Sequence, residues 1–207
     1  MPRPQHYTYT PSNPSLTGFA SNVTGGTWTL TNTSVPDGLA HQVSLHNDTA
    51  TDHSGKTATF IGTDANDHDI SETINMPGSS ATVETTLYFK TLTSVTPSAS
   101  IGADTMDIGY VDEFASPLYP LGWREGVAAL GVEVTGTINY TVQHTFDDIQ
   151  DPDNTTYTWY DYDDPDLVAS SINADGNYFA IPAATRIIAN SYSNGATLAY
   201  NIFQRNT

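Results

Sequence analysis

Residues 58–92 read ATFIGTDANDHDISETINMPGSSATVETTLYFKTL. Apolar and polar residues alternate, break at a polar turn, alternate again, break at Pro77-Gly78 and alternate once more. A period of two marks strands that bury one face. Five acids stand among Thr, Ser and Asn, with Lys90 near the end. They pose a choice between a site, such as a calcium loop or a pair of catalytic carboxylates, and the outer face of a sheet.

The pattern extends to both sides. GGTWTLTNT (25–33) predicts a strand behind a Gly-Gly turn, and Ala40–His46 alternates. Thr57–Thr63 and Asp69–Ile74 predict strands around a tight turn at Asp64–His68. Val83–Val95 carries apolar residues at 87, 89, 92 and 95, which predicts one long strand with a kink or bulge. Ile101–Val111 closes the block. No helical stripe is present, so residues 19–112 read as one β-sandwich domain. Residues 113–125 hold two Pro and a burst of aromatics and read as a junction, with Tyr119 and Trp123 packing the hinge.

Residues 126–207 form a second β block. Its last two strands, ATRIIANSYS and ATLAYNIFQ, flank Asn194-Gly195, a strong hairpin signal. Residues 1–18 contain four Pro and alternating Tyr and Thr, which predicts an extended arm. The expected fold is all-β: two β-sandwich domains, jelly-roll-like or Ig-like, with an N-terminal arm.

Composition limits the function classes. The chain has 207 residues, 23 Asp plus Glu against 6 Lys plus Arg, and a net charge of −17. Six basic residues cannot build a multi-phosphate footprint, so neither nucleic acid nor an anionic membrane is expected as a partner. There is no Cys, which excludes disulfides, thiolate zinc sites and Cys nucleophiles. The first residues, MPRPQHYTYTPSNPSLTG, lack the apolar core of a signal peptide, and no apolar run is long enough to span a bilayer. Export by a cleaved signal is therefore not expected.

Each candidate site in the sequence also has a plainer structural reading. Asp64, Asn66, Asp67 and Asp69 offer hard oxygens at short spacing, but lack the Gly and the closing Glu of an EF-hand loop. Asp and Asn also favour turns because their side chains bond nearby backbone, and that reading is preferred. A denser cluster comprises Asp147, Asp148, Asp151, Asp153, Asp161, Asp163, Asp164 and Asp166. It allows a structural calcium, with solvated loops as the favoured alternative. The six His, at 6, 41, 46, 53, 68 and 144, form no HExxH or HxH pair. Neither a G-x-S-x-G elbow nor a phosphate-binding Gly-rich loop occurs. No catalytic, cofactor-binding or metal residue is assigned. Tyr157, Trp159, Tyr160 and Tyr162 lie among the acids, where aromatics either bind a sugar or a protein partner or fill a core.

TATFIGTDANDHDISETINMPGSSATVETTLYFKTLTSVTPSASIGADTMDIGY resembles a segment common in structural proteins of tailed bacteriophages. In those proteins a strand ends in G-T-D-x-x-G, an "ETI" strand and a Gly turn follow, and a strand like F-K-T-V-T-S-V-T-x-S closes on V-x-I-G. Asp67 stands here where that pattern has Gly. YTVQHTFDD, TWYDYDD and GNYFAIPAATRIIANSY resemble the same proteins, so the resemblance spans about residues 40–207. It implies a non-enzymatic virion component assembled in the host cytoplasm. A capsid decoration or cement protein is the leading expectation, and a tail adaptor, tail-accessory or fibre-associated component the next. The implied partners are the major capsid protein or tail proteins, and copies of the chain itself in a homo-oligomer. Tyr7 and Tyr9 of the arm, with Trp159, Tyr160 and Tyr162, are the candidate partner contacts. A glycan-binding module using the 157–162 aromatics is the alternative of another class.

Overall fold

The computed structural model describes residues 4–122 and 126–206. Within them the strands are β1 (Gln5–Tyr9), β2 (Ser15–Val23), β3 (Ala40–Asn47), β4 (Thr57–Thr63), β5 (Asp69–Asn75), β6 (Thr82–Phe89), β7 (Thr91–Pro97) and β8 (Met106–Ala115). There follow β9 (Tyr119–Pro120), β10 (Gly126–Thr135), β11 (Ile138–Thr145), β12 (Tyr160–Asp161), β13 (Ala174–Tyr178), β14 (Ala184–Tyr192) and β15 (Thr197–Asn206). A 3-10 turn at Pro165–Leu167 is the one helical element among the described residues. The protein is all-β and its sheets are antiparallel. The chain divides into two compact units. One spans Ser12–Phe114, and the other combines the residues up to Pro11 with those from Ala115 onward.

In the 12–114 unit, β5-β4-β7 form one sheet, while β6 pairs with β3 and β2 with β8. The opening stretch explains the arrangement. β4 turns Ala58, Phe60 and Gly62 inward and leaves Ile61 exposed. Phe60 meets Phe89, Leu92 and Val95 from β6 and β7, with Val43 and Leu45 of β3 and Met106 and Ile108 of β8 in the same core. Burying each such side chain contributes about 1.5–3 kcal/mol. The expected long strand over 83–95 breaks at Lys90 into β6 and β7, which join different sheets. A bend that hands the chain from one sheet to the other forms a corner of the sandwich.

Gly62 sits at the bulge between β4 and β7, where a Cβ would collide with the Thr91 carbonyl oxygen. Only a residue without a side chain fits there. The turn before β5 holds Asp67 at φ 65°, a left-handed conformation that favours glycine.

In the other unit, β1-β15-β10-β13 form one sheet; β12-β11-β14 form a second, with β9 also paired to β14. Leu198, Tyr200 and Ile202 of β15 and Leu130 and Val132 of β10 are buried, as are Tyr140 and Val142 of β11 and Ile187 and Ala189 of β14.

Three expectations change here. GGTWTLTNT forms no strand: the backbone N–H groups of Thr31 and Asn32 both donate to the Phe19 carbonyl, at 2.8 and 3.1 Å, and fold the segment back on β2. Asn194-Gly195 does make a turn, with Gly195 at φ 76°, but its flanking strands lie in different sheets and form no hairpin. The turn reverses the chain; the burial of Ile187, Ala189, Leu198 and Tyr200 decides which sheet each strand joins. Residues 5–9, expected in an arm, pair with β15 from Gln5↔Ile202 to Tyr9↔Leu198. The Tyr-x-Tyr spacing points both rings to one face, where Tyr7 stacks on Tyr119 at 4.0 Å and the Tyr9 and Tyr119 hydroxyls bond. Trp123, the other expected hinge aromatic, lies outside the described residues.

Candidate functional site

Most acids of the opening stretch are occupied by local structure. Asp64 Oδ1 accepts from the backbone N–H groups of Asn66 at 2.8 Å and His68 at 2.9 Å, closing the turn. Asp67 pairs with Lys90 at 2.6 Å. Glu72 of β5 accepts from the N–H groups of Thr86 and Leu87 and from the Thr86 hydroxyl, at 2.8–3.0 Å. It ties the β5 sheet to β6 in the other sheet of that unit. Asp37 binds the buried His41 at 3.0 Å and accepts from the Leu39 N–H at 2.9 Å. Burial pushes the Asp37 carboxyl up, but the bonds from His41 and Ser12 outweigh this and hold it below the ordinary range.

The second acidic cluster begins in the same way. Asp148, Asp151 and Asp164 each accept from a backbone N–H two residues on, at 2.9–3.0 Å. Asp147 bonds the Thr158 N–H. Asp161 Oδ1 accepts from Gln143 Nε2 at 2.8 Å, and Gln143 Oε1 in turn accepts from Arg186 Nε and Nη2 at 2.9 and 2.7 Å. Such Asx turns are what Asp supplies to loops for local reasons. Among the described residues, no group of three or more His, Cys, Asp or Glu is arranged to hold a metal ion.

Asp163 and Asp175 differ. Neither carboxylate accepts a hydrogen bond or pairs with a cation among the described residues. Both line a cavity of about 760 Å³ with Asp164, Asn177, His144, Phe146, Tyr162, Tyr178 and Phe179. The cavity lies between the end of β11, the loop after β12, and β13. Its floor depends on Gly176, because a Cβ there would lie 2.6 Å from the Tyr162 hydroxyl and 2.8 Å from Leu167. Leu167 is fully buried and anchors the 3-10 turn that carries Asp163 and Asp164 past the opening. Tyr162 packs edge-on against Tyr178 at 5.0 Å and donates its hydroxyl to the Asn177 carbonyl at 2.8 Å.

His144 forms the inner wall. Its ring meets Phe146 at 5.2 Å and Tyr178 at 5.5 Å, both edge-on, and its Nδ1 is buried without a hydrogen-bond partner among the described residues. Burial pushes the imidazole below its ordinary pKa, against the pull of Asp163 and Asp161. The rim is apolar and open: Phe179 is 86 % exposed, Phe146 60 % and Tyr160 52 %.

The sequence-derived contact residues do not share one place. Tyr7 and Tyr9 lie along β1. Tyr160 stands beside His144 at 6.1 Å, at the cavity's edge. Tyr162 is buried in its wall. Trp159 is half-buried, with the Arg186 guanidinium over its ring at 4.0 Å, so that face is covered by a cation. Tyr157 meets Trp159 edge-on at 6.2 Å. Reading the sequence missed Phe146, Phe179 and Asp175. The available signal was two Phe in polar surroundings, in HTFDD and GNYFAIP. No protein-family model matches the chain, and no curated protein does.

Proposed function

We propose that the chain is a non-enzymatic structural protein of a tailed-phage virion, acting as a capsid decoration or cement protein. Its two units would then be β-sandwich domains of jelly-roll or Ig-like type. The observation that carries the reading is the use of the acids: Asp64, Asp67, Glu72, Asp148 and Asp151 brace turns and strand edges. That makes a stiff, negative, turn-braced exterior, the property a particle surface needs. High net charge of one sign also keeps many copies from self-association off the particle. The phage-protein resemblance over residues 40–207 adds to this.

In this role the protein binds the major capsid protein, or copies of itself, through broad surfaces and sheet edges. β1 is an edge strand of its sheet, held from beneath by Tyr7 and Tyr9. Modest contacts repeated over many copies add up through avidity. The test is quantitative mass spectrometry of purified particles, normalised to the major capsid protein. The expected copy number equals the capsid count or a simple fraction of it. A dozen copies or fewer would move the protein to the tail, and absence from the particle would overturn both.

A further inference from the structure

The Asp163–Asp175 cavity is chemically one-sided. Three carboxylates, of Asp163, Asp164 and Asp175, line it, and no Lys or Arg among the described residues does. The tyrosine donors are already engaged: Tyr162 bonds the Asn177 carbonyl, and Tyr178 lies 3.5 Å from the Thr185 hydroxyl. Beyond the Asn177 amide and the His144 ring, the cavity presents acceptors and ring faces, and its three carboxylates call for an occupant rich in donors. Its rim of Phe146, Tyr160 and Phe179 is exposed and apolar, which favours contact with an aliphatic chain. Lys and Arg side chains combine an apolar stem with a cationic head that binds both carboxylates and ring faces. Neutral sugars bring donors and acceptors in equal measure and would leave the carboxylates without a counter-charge.

We propose that this cavity is a docking site for a lysine or arginine side chain presented by a partner protein. The cationic head sits between Asp163 and Asp175, and the stem lies against Phe179 and Phe146. Among the described residues, these two acids are the lining carboxylates that no turn or ion pair occupies. The inference names the partner chemistry of one surface and takes from the structural-protein reading only that the partner is a protein.

The test uses the full chain and three capped tripeptides, acetyl-Gly-X-Gly-amide, with X as Arg, Lys or norleucine, plus maltotriose as a neutral sugar. Amide resonances of residues 144–146, 163 and 175–179 are followed by NMR titration. The expected result is binding of the Arg and Lys peptides at these positions about tenfold tighter than the norleucine peptide. In Asp163→Asn/Asp175→Asn, affinity for the cationic peptides falls about tenfold, the sum of two partly exposed charge pairs. Asp148→Asn/Asp151→Asn removes the same charge elsewhere and leaves binding within twofold. Equal affinity for norleucine, equal loss in the two double variants, or tighter binding of maltotriose at the same resonances would overturn the proposal. Cationic-peptide binding by a protein absent from particles would refute the virion reading alone, while a particle protein that ignores these peptides would refute this site alone.

Discussion

The Tyr200 hydroxyl of β15 lies 2.7 Å from Thr185 Oγ1 of β14, and the Thr185 hydroxyl donates to the Gln143 carbonyl at 2.9 Å. β15 and β14 belong to the two facing sheets of their unit, so this bond crosses its core. Tyr200 is fully buried, and desolvation holds its phenol far above the ordinary range, which makes it a neutral donor at any working pH.

Two substitutions separate the two ends of this bond. Tyr200→Phe removes a donor and leaves Thr185 still bonded to Gln143, at a cost of about 1 kcal/mol. Thr185→Val strands the Tyr200 hydroxyl in the core and is expected to cost about 2–3 kcal/mol. Urea denaturation gives both values. Equal costs would mean that water enters the core to satisfy the stranded hydroxyl.

Glu72 is the acid of the opening stretch with the largest structural role. Its carboxylate satisfies two backbone N–H groups of β6, near the register shift between β3 and β6. Glu72→Ala leaves these donors to water, and the expected loss is about 1.5–3 kcal/mol, the range for bonds to a charged group. Asp69, three residues away and exposed, makes no such bond among the described residues, and Asp69→Ala is expected to change stability by less than about 0.5 kcal/mol. Thermal melts of the two variants compare them directly. A costly Asp69→Ala would point to a role for net charge in place of the clamp.

Much of the fold was legible because local pattern and burial agree. β4 and β5 coincide with Thr57–Thr63 and nearly with Asp69–Ile74, since alternation and turn residues point the same way there. Where the reading failed, the information was non-local. Lys90 looks like an irregularity in one strand, and only the packing of Phe89 and Leu92 into a shared core shows that the chain changes sheets there. Asn194-Gly195 encodes a reversal but not the sheets that its flanking strands join. The candidate site was less legible still. Asp175 and Phe179 lie far in sequence from Phe146, and their convergence depends on the pairing of β13 with β10.

The N-terminal strand tests whether Tyr7 and Tyr9 serve the chain's own fold. Tyr9 is buried, with its hydroxyl bonded to that of Tyr119. Tyr9→Ala removes a buried ring and is expected to cost about 3 kcal/mol. Deleting residues 1–10 exposes the β15 edge and is expected to lower the melting point and promote self-association through that edge. Size-exclusion chromatography with light scattering at several concentrations reads the second effect. A truncated chain that melts like the full one would show that β1 is dispensable to this unit, as an arm reaching for a neighbour would be.

His144 gives the acid limb of stability a specific source. Burial holds the folded imidazole below its ordinary value of about 6.5, with Asp163 and Asp161 pulling the other way. The unfolded chain therefore takes up this proton at a higher pH than the folded one. The contribution of His144 is complete above about pH 6.5 and is lost as pH falls through the folded pKa. Two measurements follow from that sign. An NMR titration of the His144 ring should show a midpoint below about 6.5, and Asp163→Asn should move it lower by removing an attraction for the imidazolium. His144→Phe, which keeps a ring between Phe146 and Tyr178 but cannot titrate, should lose less melting temperature than the wild type between pH 7 and pH 5. A midpoint left unchanged in Asp163→Asn would mean that the carboxylate is not in electrical contact with the ring, and that the cavity is less closely drawn around His144 than its geometry indicates.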